Sequence, residues 1–343
     1  MTTLSNTLKR AASAAGSRDI IATALLCSDG DALTITTTDY DVTLWQTLAA
    51  PGVAPLSAAI PAAALAQTVA ACGADVTIAP SGSGDVDIRS GRSRFVLRGL
   101  PVADYPAIDP PDTTATKLLD MRALGAVATV CSTDESRPAL NGVLITGDRY
   151  VATDGHRLHV ATVREPVEGI TPWTLHRRAL GMLSGIDGLR AAPGVVAGTA
   201  DGAVVTIAVR EVPEAFPSWE RVVPEPQPRV WVDAAALASA LRRISAMVDK
   251  RGLVRVEVSG GMLALDGVRS DVGDGHDEVP VQSGDDSDAV SMPVIGCNPR
   301  YMLDALAACG TERVTVEWSG AFSPIVVTSS DATVVCCVMP MRT

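Results

Sequence analysis

The sequence predicts an α+β protein made of three similar domains, each built from two units of one helix followed by antiparallel strands. Two observations support this prediction. A pattern of helix, apolar strand, tight turn and second strand recurs along the chain. The composition of the 343 residues, 47% hydrophobic and 20% charged, is typical of a globular protein and excludes intrinsic disorder.

The first unit of each domain consists of a helix, a basic residue and a hairpin. The predicted helices span residues 4–15, 117–131 and 234–250. The basic residues that follow them are Arg18, Arg137 and Arg251. The turns read SDGD, TGDR and SGG, and the strands beside them are rich in β-branched residues, as hairpins require.

The second unit of each domain repeats the order of helix and strands. Its predicted helices span residues 61–72, 173–183 and 298–309. Segments rich in Pro and Asp at 109–116 and 223–229 indicate linkers. The expected domains are therefore residues 1–116, 117–227 and 228–343.

The cellular compartment follows from what the sequence lacks. Its apolar runs are far shorter than the ~20 residues of a membrane span, and no signal peptide is visible. The seven cysteines form no CxxC pair, which favours buried thiols in a reducing compartment, with Cys336 and Cys337 on opposite faces of one strand. We expect a cytoplasmic protein that does not bind membranes.

Catalytic and metal-binding motifs are also missing. The chain has only four histidines, and no nucleotide-binding, hydrolase or zinc-protease motif appears. The acidic segment DGHDE at residues 274–278 is expected to be a solvated loop, with binding of a hard cation as the alternative. We therefore expect no catalytic residue, no metal and no cofactor.

The net charge of −11 and the pI near 4.8 argue at first against a nucleic-acid partner. The charges, however, are unevenly distributed. Five of the six predicted helices carry Lys or Arg, while much of the acid lies in predicted loops, including residues 271–288. This favours a shared basic surface that contacts phosphate groups without reading bases. The alternative is that these are ordinary solvated surface arginines.

Several motifs resemble one family. The segment ATDGHRL at residues 152–158, FPSWERV at 216–222, LNG at 140–142, NPRYMLDAL at 298–306 and the final VMPMRT resemble the bacterial DNA polymerase III β subunit, or sliding clamp, family. The resemblance covers the whole chain. It implies a DNA clamp fold in a ring-shaped head-to-tail homodimer, with helices lining a central channel and sheets outside. It also implies a non-catalytic processivity factor.

The same resemblance implies the partners. Double-stranded DNA would be held by topology, independently of its sequence, and weak salt-screened contacts would let the ring slide. The DNA polymerase III core, the clamp loader and other proteins with a clamp-binding motif would bind a pocket lined by apolar and Met side chains.

The resemblance assigns three groups of residues. The pocket for partner peptides would comprise Leu140, Thr153, Gly155, His156, Arg157, Leu158, Pro217, Arg221, Val222, Pro324, Met339, Pro340, Met341 and Arg342. The DNA-facing residues would be Arg18, Arg137 and Arg251, with Arg10, Arg122, Arg177, Arg178, Arg242 and Arg243 as further lining. The dimer contacts would be Phe95 and Leu97 from the first domain, with Met247 and Val248 from the third. For Met339 and Met341, simple core packing at a chain end is the alternative.

Two other functions stay open at this stage. The terminal Thr343 and a short loop after Val248 would suit a clamp paralogue of phage, plasmid or resistance origin, with altered partner or inhibitor binding. A metal-dependent hydrolase would use Asp154, His156 and His159, although the two histidines are expected on opposite faces of a strand.

Overall fold

The computed structural model describes residues 3–51, 53–73, 75–82, 84–114, 116–212, 214–225, 228–248, 252–269, 271–283 and 291–342. Of the residues singled out in the sequence, Arg251 and Thr343 lie outside this part of the chain. Every helix among the described residues is too short or too polar to cross a membrane.

The described residues form six α-helices, which are α1 (Thr3–Ala14), α2 (Ala62–Cys72), α3 (Met121–Ala128), α4 (Arg177–Leu180), α5 (Ala234–Ser245) and α6 (Pro299–Cys309). Four of them begin at a capping side chain. Backbone N–H groups in the first turns of α3, α4, α5 and α6 donate hydrogen bonds to Asp120, His176, Asp233 and Asn298, respectively. Helix α6 ends at Gly310 in the left-handed conformation.

The first eleven strands are β1 (Thr23–Ser28), β2 (Ala32–Thr38), β3 (Val42–Ala49), β4 (Leu56–Pro61), β5 (Thr77–Ser81), β6 (Asp85–Ser90), β7 (Ser93–Leu97), β8 (Lys117–Leu118), β9 (Gly142–Ile145), β10 (Arg149–Thr153) and β11 (Arg157–Thr162). The remaining strands are β12 (Trp173–His176), β13 (Asp187–Ala192), β14 (Val195–Ala200), β15 (Ala203–Val209), β16 (Arg229–Asp233), β17 (Val254–Ser259), β18 (Met262–Arg269), β19 (Gly273–Ser283), β20 (Met292–Cys297), β21 (Arg313–Glu317), β22 (Ile325–Ser329) and β23 (Val334–Val338).

The first compact unit comprises Met1–Leu119 and Leu175–Glu211. It contains an eight-stranded sheet in the order β4-β1-β2-β3-β15-β14-β13-β8 and a three-stranded sheet in the order β5-β6-β7. Helices α1 and α2 pack against each other and against the strands. Their apolar faces join one core, in which Leu8, Leu26 and Leu65 are fully buried.

The second compact unit comprises Asp120–Thr174 and Val212–Thr343. Its sheet runs in the order β12-β9-β10-β11-β23-β22-β21-β16-β19-β18-β17-β20. Helix α3 packs on β9, β10 and β11, α6 on β22 and β23, and α5 on β16, β18 and β19. Because α6 also contacts α3 and α5, the three helices cover one face of this sheet.

The predicted middle domain, residues 117–227, contributes to both compact units. Main-chain pairing explains this division. Strand β3 pairs with β15, and β11 pairs with β23, so each sheet continues across a predicted domain boundary. The division into three domains therefore stays a prediction.

Some expected elements differ in the structure. The helix expected at residues 173–183 covers only Arg177–Leu180, because the preceding WTLH segment is paired as β12 beside β9. The acidic segment DGHDE belongs to strand β19, where it pairs with β18, so the expected loop is wrong there. Cys27 is exposed, unlike the expected buried thiols, whereas Cys297, Cys309, Cys336 and Cys337 are buried.

Candidate functional site

Strands β11 and β23 separate two faces of the second unit. Leu158 pairs with Cys337 and His159 with Cys336, and successive side chains of a strand point to opposite faces. On the helix face, His159 Nδ1 lies 3.0 Å from the Ala126 carbonyl of α3, and Cys336 packs on α6. On the other face, Leu158 and Cys337 join an apolar cluster with Trp219. The expectation that Cys336 and Cys337 point apart is thus confirmed.

A cavity of about 480 Å³ lies beside this apolar cluster. Apolar side chains dominate its wall, and a few polar groups interrupt them. The lining residues are Leu140, Thr153, Gly155, Arg157, Leu158, Pro217, Ser218, Trp219, Arg221, Val222, Pro224, Pro324 and Met339. A concave apolar site with a few polar groups is typical of ligand binding.

The turn between β10 and β11 forms one wall and corresponds to the ATDGHRL motif. Asp154 Oδ1 accepts hydrogen bonds from the backbone N–H groups of His156 and Arg157. Thr153 Oγ1 donates to the carbonyl of Arg157 and accepts from Gly155 N–H. Gly155 has a φ of +89°, a conformation that other residues rarely adopt, so the turn favours glycine.

The opposite wall comes from the FPSWERV motif. Residues Trp219–Arg221 form a 3₁₀ turn, and the Trp219 ring is buried against the sheet. Trp219 also borders two neighbouring cavities of about 340 and 460 Å³. The Arg149 guanidinium lies 5.7 Å from the centre of its ring. Trp219 therefore lies at the border between the candidate pocket and these two cavities.

Most residues assigned to the pocket from sequence line this cavity, with four exceptions. His156 lies beside it, with its ring stacked 6.4 Å from that of Tyr301. Met341 and Arg342 line a separate cavity of about 310 Å³ with Gly296, and Pro340 lies between Met339 and this second cavity in the chain. Three lining residues were missed, namely Ser218, Trp219 and Pro224. Two of them lie within the FPSWERV motif. The large apolar side chain of Trp219 in this motif is a sequence signal from which its place in the pocket wall could have been predicted.

One of the two arginines in the wall, Arg157, is held by several contacts. Its side chain is only 9% exposed. The Nε atom lies 3.0 Å from Asp154 Oδ2, and Nη1 pairs with Asp304 of α6. The guanidinium carbon lies 4.4 Å from the centre of the Tyr301 ring. Two carboxylates therefore balance this nearly buried positive charge. Without them, a buried guanidinium would be strongly destabilising.

Comparisons with known proteins agree with the geometry. A family model described as the DNA polymerase III beta subunit, N-terminal domain, matches residues 2–109, and one for the C-terminal domain matches residues 220–342. The chain belongs to this family. The resemblance stated from the sequence motifs is confirmed, as is the α+β clamp fold.

Curated relatives of this clamp family cover nearly the whole chain. The beta sliding clamp of Caulobacter vibrioides strain NA1000 is 28% identical over an alignment of 350 positions, which covers 94% of this chain and 92% of the relative. The beta sliding clamp of Pseudomonas aeruginosa strain PAO1 is 28% identical over 357 residues, with the same coverage.

Solved clamp structures show the same fold. A DNA polymerase sliding clamp from Caulobacter crescentus aligns with a TM-score of 0.85 at 27% identity, covering 99% of this chain and 98% of that one. A sliding clamp from Pseudomonas aeruginosa bound to griselimycin aligns with a TM-score of 0.86 at 25% identity, covering 99% and 97%.

The family is non-catalytic, and the geometry disagrees with the hydrolase hypothesis. Asp154 is engaged by backbone N–H groups and by Arg157. His159 is fully buried on the helix face, away from the exposed His156. Among the described residues, no group of three or more His, Cys, Asp or Glu side chains could hold a metal.

Several arginines that the clamp resemblance assigns to DNA are already paired with carboxylates. Arg178 lies 2.7 Å from Asp39 and 3.0 Å from Asp41. The other pairs are Arg122 with Asp331 at 3.7 Å, Arg137 with Asp134 at 3.1 Å and Arg243 with Asp277 at 2.6 Å. The charge of these arginines is partly neutralised, so counting basic residues on helices overstates the positive potential.

The other assigned arginines among the described residues differ in exposure. Arg18 and Arg242 are exposed. Arg10 donates to the Ser184 carbonyl at 3.2 Å and to Gln46 Oε1 at 3.4 Å. Arg177 is half-buried at the start of α4. Whether any of these residues meets DNA stays a prediction.

The residues assigned to the dimer interface of a clamp lie on two surfaces. Phe95 and Leu97 lie on β7, the edge strand of the three-stranded sheet, and Phe95 is 42% exposed. Such an edge has unpaired backbone groups that can pair with another chain. Met247 and Val248 follow the end of α5 and are half-buried, with Met247 packed over Gly275 of β19.

Burial lowers the pKa of His159 to about 4. Above pH 6.5 the ring is neutral in both the folded and unfolded chain. As the pH falls, the unfolded chain takes up the proton first, so we expect stability to decrease between pH 6.5 and 4 by about 3 kcal/mol. The measurement is the free energy of unfolding by denaturant as a function of pH.

A His159→Gln variant supplies the control for this pH dependence, because glutamine does not titrate. Its decrease in stability between pH 6.5 and 4 should be smaller than that of wild type, and His176, whose pKa is also lowered by burial, contributes to the remainder. Asp331, whose hydrogen bonds with Ser329 and Thr333 lower its pKa to about 2, loses most of its contribution below that window. Wild-type stability that stays constant from pH 6.5 to 4 would contradict the prediction.

Proposed function

We propose that this chain is a DNA sliding clamp, a non-catalytic processivity factor that encircles duplex DNA as a head-to-tail homodimer. Through its peptide pocket it tethers the replicative DNA polymerase and other DNA-processing proteins. Its membership of the DNA polymerase III beta subunit family and its relatives named beta sliding clamp support this function. The role also implies a cytoplasmic protein.

The observation that supports the tethering role most directly is the cavity between the ATDGHRL turn and the FPSWERV segment. Its volume of about 480 Å³ suits a few side chains of a short peptide. Leu158, Val222 and Met339 supply apolar wall, and Arg157 and Arg221 supply hydrogen-bond donors. The proposed occupants are clamp-binding segments of the polymerase core, the clamp loader and other partners. The Pseudomonas relative bound to griselimycin is a clamp with a bound ligand.

The proposed DNA contacts need no base recognition. Exposed arginines such as Arg18 and Arg242 can attract phosphate groups, and a ring holds the duplex even when each contact is weak. In this proposal the helices face the DNA channel and the sheets lie outside. The dimer would pair the β7 edge, with Phe95 and Leu97, against the region of Met247 and Val248.

The paralogue hypothesis gains no support from the structure. Its two motives are Thr343 and the loop after Val248, and both Thr343 and residues 249–251 lie outside the described residues. The hypothesis therefore remains untested beside the clamp proposal. Three domains, residues 1–116, 117–227 and 228–343, remain part of the clamp proposal.

Topological binding is tested on circular DNA. We expect the protein, once a clamp loader has placed it on a nicked circle, to stay bound in moderate salt, because a closed ring needs no strong contact. Cutting the circle should release it. The measurement is the bound fraction after gel filtration, and release at the same rate from cut and uncut circles would reject encirclement.

The pocket is tested by shortening Met339, which is 39% exposed in the cavity wall. Met339→Ala removes apolar contact area, and we expect affinity for a clamp-binding peptide to fall about tenfold, or ~1.4 kcal/mol. Met121→Ala is the matched control, because Met121 is 46% exposed at the start of α3, outside the cavity. Fluorescence anisotropy measures both, and equal losses in the two variants would contradict this assignment.

Two adjacent arginines of α5 test the charge argument. Arg242 is exposed, whereas Arg243 is paired with Asp277 at 2.6 Å. We expect Arg242→Ala to reduce the slope of log affinity for a DNA duplex against log salt by about 0.9, the value of one phosphate contact. Arg243→Ala should change this slope by less than half as much, and an equal or larger change would contradict the argument.

A further inference from the structure

Arg157 is unusual among the cavity residues because it also contacts a helix on the other face of the sheet. It begins β11, and its side chain shares the helix face with His159, since the two are two residues apart. At the end of the strand, the same side chain also reaches the cavity wall. The position of Arg157 therefore depends on groups outside the cavity.

Two residues of α6 supply those groups. Asp304 pairs with Arg157 Nη1, and the Tyr301 ring lies 4.4 Å from the guanidinium carbon. Residues three apart lie on the same side of a helix, so Asp304 and Tyr301 approach the guanidinium together. Neither residue lines the cavity. The third contact, Asp154, belongs to the turn itself and is also bonded to two backbone N–H groups.

The two carboxylates therefore have different roles. Asp154 organises the turn, because its Oδ1 accepts from His156 N–H and Arg157 N–H while its Oδ2 meets the guanidinium. Asp304 approaches from a separate element, so its ion pair fixes where the end of the long side chain lies. Arginine has several rotatable bonds, and holding it in one geometry before a ligand arrives removes an ordering cost from binding.

We propose that Asp304, assisted by Tyr301, is a positioning residue of the peptide pocket. It holds Arg157 in the cavity wall, so that this wall is already formed when a partner peptide binds. Asp304 acts through Arg157 and does not touch the peptide. This inference rests on the proposed function, because it concerns the same pocket.

The test measures the affinity of the full-length protein for a fluorescein-labelled octapeptide ending in Leu-Phe. We expect Asp304→Asn to weaken binding three- to tenfold, because the amide loses the charge that orients Arg157. Asp304→Glu keeps the carboxylate and should bind within twofold of wild type. Affinity in Asp304→Asn equal to that of wild type would overturn the proposal.

A matched control separates this effect from a general loss of an ion pair. Asp277→Asn breaks another pair between a helix and a strand in the same unit, Arg243 with Asp277, and neither residue lines the cavity. Its peptide affinity should stay within twofold of wild type. An equal loss in Asp277→Asn and Asp304→Asn would overturn the positioning role.

A double-mutant cycle shows whether Asp304 acts through Arg157. Arg157→Lys alone should weaken binding, and adding Asp304→Asn to it should change affinity less than twofold. If Asp304→Asn weakens binding by the same factor in the Arg157→Lys background as in wild type, the two residues act independently and the coupling is refuted. If thermal unfolding shows Asp304→Asn to be misfolded, Tyr301→Leu and the Asp304→Glu variant provide the same test, with loss expected in the former and retention in the latter.

Different results would reject the proposed function and this inference. Wild-type protein that does not bind the octapeptide would argue against the peptide pocket itself. Wild-type binding that is unchanged by Asp304→Asn and Tyr301→Leu would leave the pocket standing and reject only the positioning role.

Discussion

The antiparallel pairing of β11 with β23 is the constraint on which the candidate site depends. It joins Leu158 to Cys337 and ends with a hydrogen bond from Met339 N–H to the His156 carbonyl. Residues far apart in the chain are thereby fixed side by side, and Met339 reaches the cavity beside the turn at residues 153–157. Without this pairing, the ATDGHRL segment and the final VMPMRT segment would not lie side by side.

The same pairing also determines which side chains lie on each face of the sheet. Alternation along the strands directs Leu158 and Cys337 to the apolar cluster under the cavity, while His159 and Cys336 face the helices. The helices and the candidate pocket therefore lie on opposite faces of one sheet within the second unit. A clamp can use such an arrangement to handle DNA on one side and protein partners on the other. Arg157 is an exception, since it contacts α6 and the cavity at once.

Electrostatics in this protein depends on pairing more than on residue counts. The chain has 28 basic and 39 acidic residues, and several helix arginines are bonded to aspartates. Such pairs are ordinary at protein surfaces and contribute little to stability when exposed. They matter here because they determine which of the described arginines keep charge available for phosphate. In the clamp proposal, exposed arginines such as Arg18 and Arg242 make the weak contacts with DNA.

The sequence alone determined the fold class, the repeated helix-and-strand units and the family, because these follow from local patterns and from contiguous motifs such as ATDGHRL and FPSWERV. It also identified much of the cavity wall, although only through the family resemblance. Tertiary structure decided the rest. The strand at Trp173–His176 and the strand that contains DGHDE form because neighbouring strands offer them hydrogen bonds. Contacts between residues distant in sequence place Trp219 in the cavity wall and bring Tyr301 and Asp304 against Arg157. Similar contacts pair Arg178 and Arg243 with aspartates. No local sequence pattern encodes these contacts.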